Sequence, residues 1–209
     1  MNNKTPTPKI IFFDIDDTLS RNGIIAAHNQ ATLEALAKTD IKLVISTGRS
    51  KAILPADILA LLEADVLDAI ICMNGQYSFN KDGMISHYPL SDVQTRKIVM
   101  LCQKSELIHK FDSATHIAWS HENARLREYN AITPNSILDP DYHKANTVYQ
   151  CSVFFNNQEE KMQEVDFAQD DLKLVHWHHI GADILPAEAS KARGILDLCL
   201  HYGIDAKDC

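Results

Sequence analysis

No stretch of the chain approaches the ~20 apolar residues that a membrane span needs. The longest contender near the start, Lys9 to Asp14, is strand-sized and stops at an acid. Residues 1–8 are polar and hold no signal-peptide core. Excess positive charge is also lacking: 20 Lys and Arg stand against 28 Asp and Glu, for a formal charge of −8. That balance excludes a general binder of nucleic-acid backbone, which needs a basic face to displace counterions. It leaves room for a small anionic substrate. The five cysteines (Cys72, Cys102, Cys151, Cys199, Cys209) include no C-x-x-C pair. Odd in number and dispersed, they read as reduced, mostly buried thiols of a cytoplasmic protein. Repeats and low-complexity tracts are missing as well. At 45% hydrophobic and 23% charged residues, the composition excludes a disordered or collagen-like chain. The 209 residues suffice for one large domain or two modest ones with a real core.

What is present reads first as alternating strands and helices. Residues 9–14, 41–46 and 68–73 are apolar, β-branched runs of buried-strand length. Helical stretches at 29–38 and 52–63 lie between them, with Pro55 in the first turn of the second or kinking it. The spacing predicts an α/β fold with an open parallel sheet, whose ligands bind beyond the carboxyl ends of the strands. After Asn74-Gly75 the texture changes. Lys81-Asp82-Gly83 marks a hairpin, and Ser91 with Gln94 forms a capping box that opens a helix to about residue 104. Strand candidates follow at 116–120, 148–155 and 173–178, with a loop bearing Pro134 and Pro140 and a polar helix at 158–167. This section reads as an α+β domain inserted over 80–181, with 1–79 and 182–209 forming the core domain. Ser190 caps a last helix, closed by Gly203.

The strongest chemical signal is Asp14-Ile15-Asp16-Asp17-Thr18-Leu19 at the end of the first strand. A carboxylate held there can act as a nucleophile. A second one two residues on can protonate a leaving group and then activate water. Acids this close repel, so a divalent cation is their natural partner. A solvated acidic turn is the plainer alternative for this hexapeptide alone. Ser46-Thr47-Gly48-Arg49 ends the second strand, where a hydroxyl and a Gly-containing turn can bind a phosphoryl oxygen. A helix cap with a tight turn would explain it equally well. Lys191, at the start of the last helix, can neutralise a carboxylate or phosphate, although a lone lysine there is ordinarily surface. Their order along the chain, each at a strand end or helix start, carries more weight than any one of them. His176-Trp177-His178-His179 lacks a third ligand at metal spacing. Trp119, His121, Arg125 and Arg127 suit helix-surface pairing as well as a substrate.

Asp14-x-Asp16-x-Thr18, Thr47-Gly48-Arg49 and Ser190-Lys191 resemble the first three motifs of haloacid-dehalogenase-superfamily phosphatases. Within them the chain resembles the Cof-type branch, whose cap domain is inserted between the second and third motifs. Asn74-Gly75 and Asp183-Ile184-Leu185-Pro186 fit that branch too. The resemblance implies a Rossmann-like core with an inserted cap and Mg²⁺-dependent hydrolysis of small phosphorylated metabolites, of sugar phosphate or nucleotide type. It implies Asp14 as the nucleophile that becomes an aspartyl-phosphate, and Asp16 as general acid and then base. Thr47, with Gly48 beside it, would bind the phosphate, and Lys191 would steady nucleophile and phosphate. Mg²⁺ would be held by the Asp14 carboxylate and the Asp16 backbone carbonyl.

Two departures qualify the resemblance. Asp17 stands where the family usually has Gly, at a turn whose left-handed geometry a short Asp can adopt. The family's fourth motif, rich in metal-binding acids, is expected after Gly203-Ile204-Asp205, yet the sequence ends at Cys209. The expectation is then weak Mg²⁺ binding, activity near background and a bare sheet edge able to serve as a homodimer contact. A catalytically inactive phospho-ligand-binding or interaction module is one alternative reading. A receiver-like signalling domain is another, disfavoured because its acceptor Asp lies at a later strand.

Overall fold

The structure, a computed structural model, describes residues 7–21, 24–124, 126–128, 133, 135–155, 171–178 and 181–209. The helix expected at 158–167, together with Arg125, Pro134 and His179, lies outside the described residues. The chain divides into two compact units. The first comprises Met1–Arg49, Leu54–His87 and Ser190–Cys209, and the second Ser50–Ile53 and Tyr88–Ala189.

The first unit is built on a sheet whose central strands, 42–46 and 69–72, are buried almost throughout. Strands β1 (Ile10–Phe13), β4 (Lys42–Ser46) and β5 (Ala69–Cys72) run parallel, Phe12 opposite Val44 and Ile45 opposite Ile70. A small hairpin, β2 (Ser20–Arg21) and β3 (Ile24–Ile25), follows the first strand. Helices α1 (Ala27–Leu36) and α2 (Ala56–Glu63) provide the crossovers. Pro55 ends up as the N-cap of α2, where its missing N–H costs nothing. The hairpin β6 (Tyr77–Asn80) and β7 (Gly83–His87) extends the sheet antiparallel, giving the order β1-β4-β5-β6-β7. The last helix, α4 (Lys191–Tyr202), packs Leu198 and Cys199 on Ile10, Val44, Ala69 and Ile71. Gly203 closes it in the left-handed conformation, φ 65°.

The second unit is a six-stranded sheet in the order β10-β9-β8-β11-β13-β12. Its strands are β8 (Ile108–Asp112), β9 (Ile117–Trp119), β10 (Ser136–Leu138), β11 (Gln150–Phe154), β12 (Leu172–His178) and β13 (Gly181–Pro186). Helix α3 (Asp92–Lys104), opened by the Ser91–Gln94 capping box, lays Ile98 and Cys102 in a core with Phe111, Cys151, Val153 and Ile184. Alternate residues on β8, β11 and β13 are polar yet buried. Lys110 Nζ meets both oxygens of Asp112 at 2.8 and 2.9 Å, and Gln150 donates to Asp112 at 3.0 Å. Ser152 donates to Asp183 at 2.8 Å.

The boundaries differ from those read off the sequence at 79/80 and 181/182. The hairpin through His87 is tied to β5 by ladder hydrogen bonds, so the first unit continues to residue 87. Gly181–Pro186 pairs with both β11 and β12, which keeps it in the second unit until Ala189. All five cysteines are free, four of them buried. Among the described residues, no helix is long and apolar enough to cross a membrane.

Candidate active site

The candidate site lies in the first unit, at the carboxyl ends of β1 and β4. Asp14 is the residue after β1. Beyond it the chain wraps round the buried Ile15, whose carbonyl accepts from the amides of Thr18, Leu19 and Ser20 at 3.3, 3.0 and 2.9 Å. The Asp17 amide returns to the Ser20 carbonyl at 3.0 Å. Asp17 sits at φ 55°, the left-handed geometry anticipated for a short polar side chain in place of Gly. This tight loop projects Asp14 and Asp16, both part-exposed.

Thr47 continues the β4 ladder, its amide donating to the Ile71 carbonyl at 2.9 Å. Its side chain is buried, and Oγ1 accepts from the Arg49 amide at 3.1 Å. An added Cβ on Gly48 would come within 3.1 Å of Asn74 Oδ1, so Asn74 is laid directly against that turn. Met73, Asn74 and Gly75 all have positive φ (51°, 55° and 91°). Gly adopts this geometry freely and Asn readily, but Met73 there is a local strain that surrounding packing must hold in place.

Two glycines explain how Lys191 reaches the site. A Cβ on Gly75 would lie 2.0 Å from the Ser190 carbonyl oxygen. One on Gly194 would lie 2.6 Å from Ile71 Cγ2 and 3.2 Å from Gly75 Cα. Without side chains at these positions, the first turn of α4 rests on the end of β5. Ser190 caps that turn, accepting from the Arg193 amide at 3.1 Å. Lys191 then donates to Asp14 Oδ2 at 2.6 Å, while Asp14 Oδ1 accepts from the Ile15 amide at 2.8 Å.

Asp16 is held otherwise. Arg49 reaches it with two hydrogen bonds, Nε to Oδ2 at 3.0 Å and Nη2 to Oδ1 at 2.6 Å. These bonds hold the Asp16 carboxyl below the usual range, helped by the Arg49 and Lys191 charges and opposed by partial burial. Residues Asp14, Asp16, Thr47, Gly48 and Lys191, chosen from sequence, thus fall in one unit, and Lys191 pairs with Asp14. Sequence reasoning missed the Arg49–Asp16 fork and the part played by Gly194. Arg49 stood in view beside Thr47-Gly48, but nothing in its spacing named an acid as its target.

The weaker candidates separate from this cluster. Trp119 is buried, donates to Ser136 Oγ at 3.3 Å and stacks on Phe154. Arg127 forms an exposed ion pair with Glu122 at 3.3 Å, and His121 meets Ser120 Oγ at 2.9 Å. The register of β12 slips between His176 and His178, so simple alternation does not apply to that pair. Among the described residues, no group of three or more His, Cys, Asp or Glu is arranged to hold a metal ion.

The chain is similar to proteins already known. The Bacillus subtilis (strain 168) protein named "Putative phosphatase YkrA" is 26% identical over 204 residues, covering 96% of this chain and 77% of its own. A Streptococcus pyogenes serotype M6 protein named as a bifunctional phosphatase/peptidyl-prolyl cis-trans isomerase is 27% identical over 206 residues. That match takes in 94% of this chain but only 42% of the longer streptococcal one. The solved structure of the subclass IIB sugar phosphatase BT4131 superposes with a TM-score of 0.81 at 24% identity, over 96% of this chain and 78% of that one. BT1666 from Bacteroides thetaiotaomicron gives 0.80 at 21%, over 100% and 78%. At these identities the two structures speak for the fold alone. The profile of the haloacid dehalogenase-like hydrolases matches residues 11–209, from inside β1 through the Asp14 loop and the α4 lysine, and the chain belongs to that family.

Proposed function

We propose that the protein hydrolyses phosphate monoesters of small metabolites through an aspartyl-phosphate on Asp14. The observation that carries this reading is a strand-end carboxylate paired with a lysine at 2.6 Å, with a second, separately held carboxylate two residues on. Phosphatase names among the relatives support it. In the first half-reaction an Asp14 oxygen bonds to phosphorus as the ester P–O bond breaks. Asp16 gives its proton to the departing alkoxide. In the second, Asp16 takes a proton from water, whose oxygen attacks phosphorus. Inorganic phosphate leaves and the Asp14 carboxylate returns. Lys191 offsets the repulsion between carboxylate and phosphate, and the Thr47 hydroxyl with the Gly48 amide would bind the phosphoryl oxygens.

Mg²⁺ suits the donors present. The Asp14 carboxylate and the Asp16 backbone carbonyl are hard oxygens, and Mg²⁺ is commonly held by one or two carboxylates plus substrate phosphate and water. Asp14 oxygens accept from Lys191 and Ile15, which leaves lone pairs on both. When bound, the cation would supply charge neutralisation at the phosphoryl group. The second unit is assigned as the cap that selects the substrate and excludes water. The dispersed free cysteines support a cytoplasmic setting.

Turnover of p-nitrophenyl phosphate with Mg²⁺ tests the reading. Asp14→Asn should abolish activity in a folded protein, and residual activity within about tenfold of the parent would reject the nucleophile.

A further inference from the structure

Residues 69–79 are all buried except Asn74. It stands two residues beyond β5 in the left-handed conformation, φ 55° and ψ 37°, which a short amide side chain tolerates. The backbone here is tied to the turn after β4. The Asn74 amide donates to the Thr47 carbonyl at 3.2 Å, and the Met73 amide to the Arg49 carbonyl at 3.0 Å. The Asn74 carboxamide lies along Gly48, with Oδ1 3.1 Å and Nδ2 3.4 Å from the place a Cβ would take there.

Unclaimed donors meet at this contact. Of the amides in 47–49, that of Thr47 donates to the Ile71 carbonyl and that of Arg49 to Thr47 Oγ1. The Gly48 amide and the Asn74 carboxamide have no hydrogen-bond partner among the described residues. Both residues are partly exposed, whereas Thr47, Met73 and Gly75 beside them are buried. Partly buried donors call for an acceptor, and backbone and amide N–H groups gathered at a turn suit an anion.

We propose that Asn74 is a phosphate-binding residue: its Nδ2 donates to the phosphoryl group alongside the Gly48 amide. This rests on the phosphatase reading of the Asp14 site. The strained turn then has a use, because it brings one polar side chain out of a buried segment and lays it on the phosphate-binding turn. A neutral amide holds a dianion by donated hydrogen bonds alone, so the carboxylate of the same shape should repel it.

The test is competitive inhibition of p-nitrophenyl phosphate turnover by inorganic phosphate at constant Mg²⁺, in wild type, Asn74→Gly, Asn74→Asp and Thr47→Val. Asn74→Gly keeps the left-handed geometry and removes the donors, so the inhibition constant should rise about tenfold. Asn74→Asp keeps size and backbone geometry but turns donors into a charged acceptor, and the rise should be larger, about 100-fold. An inhibition constant does not depend on the fraction of protein folded, so these shifts are read apart from stability. Values within about twofold of the parent for both variants would overturn the inference. A rise for Asn74→Asp no larger than that for Asn74→Gly would also overturn it, since a side chain that only packs on Gly48 is replaced by Asp with little loss. If Thr47→Val weakens inhibition and Asn74→Gly does not, only the Asn74 assignment falls. If the parent neither turns over the ester nor binds inorganic phosphate in direct titration, the phosphatase reading falls and the Asn74 assignment with it.

Discussion

Lys191 Nζ and Asp14 Oδ2 are 2.6 Å apart in space and 177 residues apart in sequence. Both side chains are about one-third to two-fifths exposed, so solvent screens the pair and its stabilisation of the fold is about 1 kcal/mol or less. The pairing matters for chemistry, where a compact cation beside the nucleophile offsets the charge of an approaching phosphate. Lys191→Met should therefore lower kcat/KM by about 100-fold or more. Its melting temperature should move by no more than about 4 °C. Loss of activity in proportion to loss of folded protein would show that Lys191 acts through stability.

The close approach that delivers Lys191 depends on Gly75. Gly75→Ala places a Cβ 2.0 Å from the Ser190 carbonyl in a residue at φ 91°, so clash and backbone strain add. Gly203→Ala is the control: its φ is also positive, at 65°, but a Cβ there meets nothing within 4 Å. Urea denaturation should show a loss of about 1–2 kcal/mol for Gly203→Ala. For Gly75→Ala the loss should be at least about 3 kcal/mol. Equal losses would mean that α4 can shift away from the turn without cost.

Much of the first unit was legible because its signals are local. Apolar runs gave β1, β4 and β5 to within a residue or two, Ser91–Gln94 gave the start of α3, and Ser190 with Gly203 gave both ends of α4. The second unit was less readable. Strand β8 sits in the interior of its sheet, yet Ile108-His109-Lys110-Phe111-Asp112 reads as a polar stretch. Its charges are buried against each other, a tertiary fact with no local signature. Strand β13 was assigned to the wrong unit for a similar reason: its partners, 150–154 and 172–178, are fixed only by the folded sheet. In the site, residue types and order pointed to Asp14, Asp16, Thr47 and Lys191. The fork from Arg49 to Asp16 depends on how two loops meet, and sequence spacing does not encode that.

Asp183, buried in the second unit, makes stability depend on pH. Burial pushes the Asp183 carboxyl up to about 6 from an ordinary 3.8. The Asp112 charge adds to the rise, while Lys110 and hydrogen bonds from Ser152 and Trp177 oppose it. The folded chain keeps a proton in this window that the unfolded chain has lost, so the contribution to stability falls as pH rises from about 4 to 6. Acidifying from neutral toward the lower end of the window relieves the penalty, by ~3 kcal/mol at most. Trp177 Nε1 donates to Asp183 Oδ1 at 3.1 Å and offers an optical reporter. Urea midpoints followed by tryptophan emission should rise between neutral pH and pH near 5 in the parent, and less so in Asp183→Asn. Identical pH dependence in the two proteins would contradict the assignment.

The nucleophile is the claim on which the rest depends, and trapping its covalent intermediate tests it most directly. The protein would be mixed with Mg²⁺ and p-nitrophenyl phosphate, quenched in acid during turnover and reduced with borohydride, which converts a phosphorylated aspartate to homoserine. Peptide mass spectrometry then reads the position. The account predicts conversion at Asp14, none at Asp16 or Asp17, and none anywhere in Asp14→Asn. Sustained turnover with Asp14 unmodified, or with the label on another residue, would contradict it.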